Sequence, residues 1–310
     1  MNQNKQTSNK LFNQLRQLDT EQRNEATKQI DLADSNEIVR LINNEDKKVA
    51  LQVEKQLDKI ARAVDLGVEA FQQGGRIIYA GSGTSGRLGI LDAVECPPTF
   101  GTDPEQIIGL IAGGPDAIFK AKEGAEDKES NGRKAVDEIE LTSPDLLVGL
   151  AASGRTPYVL GALKEAKRRR CKTIFITTVP AGQTESKADL LIDIPVGPEV
   201  IMGSTRMKSA TAQKMALNMI STGVMIRVGK VYENVMVDLQ QTNKKLEERA
   251  RRIIMMITGE SYQAAVQLLQ QTNGDVKTAL LMGLTDADKQ QAEDLLDKHN
   301  GFIRSAIQNK

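Results

Sequence analysis

The chain has 310 residues with 41 basic and 41 acidic side chains, a formal net charge of zero, one histidine and no tryptophan. That balance argues against nucleic acid or an anionic membrane as partner, and no apolar run reaches the ~20 residues that span a bilayer. Cys96 and Cys171 are too few for a disulfide framework or a thiolate metal cluster, and the N-terminus MNQNKQTSNKLFNQ lacks the apolar stretch of a secretory signal, so a cytoplasmic setting without metal or cofactor is expected.

Residues up to about Ile30 are polar and read as an arm with little core. Asp34 with Glu37 reads as a capping box opening a helix through Val39, Leu41 and Ile42. From Lys47 the apolar positions Leu51, Leu57, Ile60, Val64, Val68 and Phe71 recur mostly three or four apart, which predicts one long amphipathic helix stopped by Gly74-Gly75. A strand over Arg76–Ala80 then runs into the loop Gly81-Ser82-Gly83-Thr84-Ser85-Gly86-Arg87. Helical spacing over Leu88–Glu95 ends before Pro97-Pro98, and Ile107–Ala112 reads as a second buried strand.

Two short helical stretches flank Glu126, the later over Gly132–Ile139. Asp145–Leu150 predicts a third strand, again feeding a small-residue loop, Ala151-Ala152-Ser153-Gly154-Arg155-Thr156-Pro157, and then a helix over Tyr158–Arg169. Lys172–Thr177 and Leu190–Ile194 complete the strands, and IMGSTRMKSATAQKMALNMIST reads as a loop feeding a helix to about Val228. Strands alternating with helices predict an α/β fold, a parallel sheet covered on both faces.

Beyond Lys244 the pattern is helical: Lys244–Ile257, Ser261–Gln271, Asp275–Met282 and Asp286–Asp297, a small bundle. Within it YQAAVQLLQQTNGDVKTALLM resembles a UBA-like helix pair turning at Asn273-Gly274. His299, in DKHNGF, reads as a helix-end residue rather than a catalyst, which leaves proton transfer to carboxylates, lysines or tyrosines. The expected division is an arm and first helix over 1–45, the α/β domain over 46–240 and the helical domain over 241–310.

The two glycine-containing loops carry the chemistry. Each follows a buried strand and precedes a helix, so in a parallel sheet both emerge at the carboxyl edge, where ligands bind. Glycines let N–H groups approach an anion, a helix start adds partial positive charge, and Ser82, Thr84, Ser85, Ser153 and Thr156 add hydroxyl donors. The first loop lacks the Lys-Ser/Thr ending of a nucleotide-binding P-loop and the spacing of a dinucleotide fingerprint. A phosphate monoester is the ligand that fits, against the plainer reading that both loops are ordinary helix N-caps.

These loops resemble those of sugar isomerase (SIS) domains, which hold the phosphate of phosphosugars; Thr84 and Ser85 match the first loop's hydroxyl positions, Ser153 and Thr156 the second's. Ala151-Ala152 departs from the isomerase pattern, leaving backbone groups or Arg155 to compensate. Longer strings, GSGTSGRLGILDAVECPPTFG, LIAGG, EGAED, AASGRTPYV, GSTRMKSATAQK and HNGFIR, resemble the N-acetylmuramic acid 6-phosphate etherases over nearly the whole chain. The resemblance implies an SIS-type, doubly wound, flavodoxin-like sheet. It also implies a carbon–oxygen lyase that opens the sugar to its aldehyde, removes the C2 proton, eliminates D-lactate from C3 and adds water.

By the same resemblance Glu95 would protonate the departing oxygen and Glu126 would take the C2 proton and help activate water. Cys96-Pro97-Pro98 beside Glu95 offers little polar solvation, which predicts a carboxyl held protonated above the usual range. Ser204, Arg206 and Lys208 either bind substrate, such as the lactyl carboxylate, or open a packed helix rich in methionine. The resemblance further implies a homodimer whose active sites draw on both subunits. A phosphosugar isomerase and a non-catalytic phosphosugar sensor remain as alternatives, separated from the etherase by lactate release and by turnover.

Overall fold

The computed structural model describes residues 18–239 and 244–308, so the Gln/Asn-rich start of the expected arm lies outside the described residues. The chain forms two compact units: one reaches up to Asp92 and includes Ile108–Ile220, the other comprises Ala93–Ile107 and the chain from Ser221 onward.

In the first unit, α1 (Ser35–Glu54) opens with the Asp34 carboxylate accepting from Glu37 N at 2.8 Å. The single long helix expected from Lys47 to Gly74 is two: the chain turns at Lys55-Gln56 and α2 runs over Leu57–Gln72. The break gives α2 its own apolar face, Ile60, Ala63, Leu66 and Val68, all buried, while Leu51 and Leu57 on either side of it stay exposed.

The sheet strands are β1 (Ile77–Gly81), β2 (Ile107–Ile111), β3 (Leu146–Leu150), β4 (Lys172–Thr177) and β5 (Leu190–Asp193), in the order β2-β1-β3-β4-β5. The pairs β1–β3, β3–β4 and β4–β5 are parallel, with Gly81 level with Leu150 at the carboxyl ends of β1 and β3. β1 and β3 are buried along their whole length, as strands covered on both faces must be. The remaining helices are α3 (Gly83–Phe100), α4 (Asp116–Phe119), α5 (Glu129–Glu138), α6 (Pro157–Arg168) and α7 (Lys208–Arg227).

Ile78, Leu147 and Phe175 pack with Val159, Ala162 and Leu163 of α6 and with Val136 of α5. Two glycines set how closely α5 and α6 approach. A Cβ on Gly132 would fall 1.8 Å from the Tyr158 carbonyl, and one on Gly161 2.0 Å from that of Glu129. At the amino end of the sheet, Asp145 accepts from Arg76 N at 2.8 Å, Arg76 Nη2 at 2.7 Å and Thr142 N at 2.9 Å. Burial opposes ionisation of Asp145, but these donors outweigh it and hold its carboxyl below the usual range.

α3 does not stop before Pro97-Pro98; it runs through both to Phe100. Each proline forfeits a bond to the carbonyl one turn back, but the ladder resumes beyond them, with Gly101 N donating to the Pro97 carbonyl at 2.9 Å.

In the second unit, helices α8 (Lys244–Thr258), α9 (Tyr262–Gln271), α10 (Val276–Leu284), α11 (Lys289–Lys298) and α12 (Ile303–Gln308) enclose Ile253, Ile254, Ala265, Leu269, Ala279 and Leu280. Ser261, Asp275 and Asp288 cap their helices, the last in a capping box with Gln291, and His299 is the C-cap of α11. α12 and a short hairpin, β6 (Val231–Tyr232) with β7 (Val235–Met236), were not expected; both are too short for periodicity to reveal. The structure establishes the helix pair turning at Asn273-Gly274, not a UBA-like class for it.

Candidate active site

The chain leaves β1 toward β2 and leaves β3 toward β4, so the carboxyl ends of β1 and β3 flank the point where the winding reverses, the place where open α/β sheets bind ligands. A cavity of about 800 Å³ lies there, lined by both glycine-containing loops. From the first come Ser82, Gly83, Thr84 and Ser85, at the start of α3; from the second come Ser153, Arg155 and Thr156, just before Pro157 opens α6.

Each loop is held from behind. The Ala152 carbonyl accepts from the hydroxyls of Thr177 and Thr178, both at 3.1 Å, and the Gly154 carbonyl from Thr184 Oγ1 at 2.7 Å. Arg155 Nε donates to the Gln183 carbonyl at 2.9 Å, which pins the base of its guanidinium at the cavity wall. The Tyr79 hydroxyl of β1 donates to Asp92 of α3 at 2.9 Å, and Lys214 of α7 lies 3.6 Å from the same carboxylate. Ser82, Thr84, Ser153 and Thr156 bring their hydroxyl-bearing side chains to the cavity lining.

Ser85 differs. It is buried, and its hydroxyl donates to Gln213 Oε1 of α7 at 2.7 Å. Gln213 is fully buried and its Nε2 has no partner among the described residues. A half-turn of that amide lets Nε2 donate to Ser85 Oγ and releases the serine hydrogen toward the cavity.

Glu126 reaches the cavity from the segment between α4 and α5. Tyr158 N donates to its carbonyl at 3.0 Å, and Asn131 Nδ2 to the neighbouring Ala125 carbonyl at 3.1 Å, so its position is tied to the start of α6. Arg87, closing the first loop's motif, donates to the carbonyls of Ile118 at 2.9 Å and Ala117 at 2.8 Å and ties down the same segment from the other side. Ser204 and Arg206 complete the cavity on a third wall.

One expected site residue is not brought there. Lys208 is buried, its Nζ 2.6 Å from the Glu45 carboxylate, while its own N–H and that of Ser209 donate to Glu199 at 3.0 and 2.9 Å. It closes an internal ion pair at the start of α7 instead of facing a ligand. Glu95 lies in the part of α3 that belongs to the second unit and is exposed. The apolar enclosure expected from Cys96-Pro97-Pro98 is absent, because the helix continues through the prolines and turns this side chain to solvent.

The cavity's charge is mixed: Glu21, Glu126, Asp127 and Glu185 against Arg155 and Arg206. An anion there depends on N–H and hydroxyl donors more than on a positive field, in keeping with the neutral chain. Among the described residues no group of three or more His, Cys, Asp or Glu is placed to hold a metal ion, and no helix is long and apolar enough to cross a membrane.

The profile of the glucokinase regulatory protein N-terminal SIS domain matches residues 59–167, and that of the SIS domain residues 135–223. A solved phosphoheptose isomerase from Neisseria gonorrhoeae is 20% identical, with a TM-score of 0.47, over 61% of this chain and 97% of that one. The N-acetylmuramic acid 6-phosphate etherase of Salinibacter ruber is 52% identical over 302 residues, 97% of each chain. That of Bacillus subtilis is 52% identical over 295 residues, 95% of this chain and 97% of the other. The chain belongs to the N-acetylmuramic acid 6-phosphate etherase family.

Gln213, Thr20 and Glu21 are among the cavity and support residues that the sequence did not announce. Gln213 sits in the quoted string GSTRMKSATAQK, where a polar residue on a buried helix face was the available signal. Thr20 and Glu21 line the cavity from the segment read as a coreless arm. Their docking rests on long-range hydrogen bonds to residues 183–203, which no local pattern announces.

Proposed function

We propose that the chain cleaves the D-lactyl ether of N-acetylmuramic acid 6-phosphate, giving N-acetylglucosamine 6-phosphate and D-lactate. The observation that carries this reading is a cavity at the sheet's switch point lined by Glu126 together with two hydroxyl-bearing loops. The phosphate sits between Ser82–Ser85 and Ser153–Thr156, held by N–H groups at the helix starts and by hydroxyls.

Ring opening makes the C2 hydrogen acidic. Glu126 removes it, the C3–oxygen bond breaks, and lactate leaves with a proton from a general acid. Water then adds to the unsaturated aldehyde at C3 and a proton returns to C2, so the net change consumes one water. Arg206 and Arg155 are the cations available to the lactyl carboxylate.

Glu95 is the proposed acid. It is exposed, and we propose that it works in a homodimer whose sites draw on both subunits. The cytoplasm, where phosphosugars are made and Cys96 and Cys171 stay reduced, is the proposed location, in cell-wall amino-sugar recycling or catabolism.

Incubation with N-acetylmuramic acid 6-phosphate, without metal or nucleotide, should release D-lactate, and in heavy water the product should carry deuterium at C2. Isomerised sugar without lactate would favour an isomerase, and tight binding without any product a sensor; either outcome would reject the etherase reading.

A further inference from the structure

The chain before α1 is not a loose arm where it is described. The Gln183 amide exchanges hydrogen bonds with Asp19, donating at 3.0 Å and accepting at 3.3 Å; Asn24 Nδ2 donates to the Pro198 carbonyl at 3.2 Å, and Thr27 Oγ1 to the Val200 carbonyl at 2.8 Å. Gly203 N donates to the Thr20 carbonyl at 3.0 Å, on the wall that bears Ser204 and Arg206. A polar strap is thus fastened across the first unit so that Thr20 and Glu21 face the cavity.

Two features of the strap point to a ligand. Thr20 is 1% exposed and its hydroxyl has no partner among the described residues, a standing cost that a ligand group would relieve. The Glu21 carboxylate stands beside Gly203, with Oε2 3.6 Å from where a Cβ there would lie. A carboxylate repels a phosphate dianion and a lactyl carboxylate alike, so a substrate seated on the two loops meets Glu21 with its neutral part.

We propose that Thr20 and Glu21 read the sugar rather than the phosphate, Glu21 accepting hydrogen bonds from the O–H and N–H groups of the phosphosugar and Thr20 bonding the same face. This rests on the phosphosugar reading given above. The strap makes the site selective for a sugar phosphate over a bare anion, and both residues are positioning and specificity residues for the elimination.

Calorimetric titration of the full chain with N-acetylglucosamine 6-phosphate and with inorganic phosphate separates the possibilities. Glu21→Ala and Thr20→Val should each weaken the phosphosugar about tenfold, about 1.4 kcal/mol, while changing phosphate affinity less than about twofold. Glu21→Gln, which keeps an acceptor, should recover part of the loss. In turnover KM should rise with the pH profile in place. Thr20→Val removes an unpaired hydroxyl without changing shape, so its melting temperature should hold or rise, which guards against a folding defect.

Equal losses for both probes would make the strap merely structural and overturn the inference. So would a collapse of kcat with a displaced pH profile, which would mark Glu21 as a catalytic acid or base. Wild-type chain that binds phosphate but gains nothing from the sugar would sink this inference and leave the phosphate cradle standing. Failure to bind phosphate at all would remove both.

Discussion

Arg206 and Lys208 stand two places apart in one motif and serve opposite ends. Arg206 is exposed at the cavity wall, whereas Lys208 is sealed against Glu45, with Glu199 capping the helix start beside it. The same contrast divides the first unit's polar groups. Those at the switch point keep hydroxyls and carboxylates open to a ligand, and those at the start of α7 satisfy one another. Open groups are kept for what they bind, and closed ones for the geometry they fix.

Substitutions on the two sides should therefore separate activity from stability. On the open side, Glu126→Gln should lower kcat by about 10²–10⁴-fold with an unchanged melting curve. On the closed side, Lys208→Ala leaves the buried Glu45 carboxylate with only Asn24 and the exposed Lys48 and should cost about 1–3 kcal/mol in denaturant unfolding. Glu45 also gives the closed cluster an acid signature. Burial alone would raise its carboxyl, but Lys208, Lys48 and Asn24 bring it down to about 2. Its contribution is then complete above the unfolded value near 4.5 and drains away as pH falls toward 2, a slope that Lys208→Ala should flatten.

Gly161→Ala tests the scaffold between the two sets, since its methyl would meet the Glu129 carbonyl at 2.0 Å. A loss of about 1–3 kcal/mol is expected, with slower turnover because Glu126 is tied to α6 beside it. The smallest effect belongs to Gln213→Glu, which can only accept from Ser85 and so keeps its hydrogen from the cavity. Phosphate affinity should fall about tenfold, roughly 1.4 kcal/mol, and most of that loss should vanish in a Ser85→Ala background.

The sheet and both loops were legible because continuous apolar runs such as IIYA and DLLVGL end in small, hydroxyl-bearing turns, a purely local signal. The break at Lys55-Gln56 was not, since the apolar spacing continues across it and only packing decides where the helix ends. Prolines at 97 and 98 read as a stop because each removes a ladder bond, yet the helix absorbs both losses and ends only at Phe100. Glu95 and Glu126 were read together from motifs, which carry no information on which cavity a side chain faces. The strap was invisible for the converse reason: Thr20 and Glu21 belong to no periodic pattern, and their place is set by partners more than 150 residues away.

The most direct measurement is a crystal structure with N-acetylglucosamine 6-phosphate bound. The phosphate is expected between residues 82–85 and 153–156, with C2 of the sugar toward Glu126. An anion seated instead among Lys230, Lys277 and the helices of the second unit, with the switch-point cavity empty, would contradict that placement.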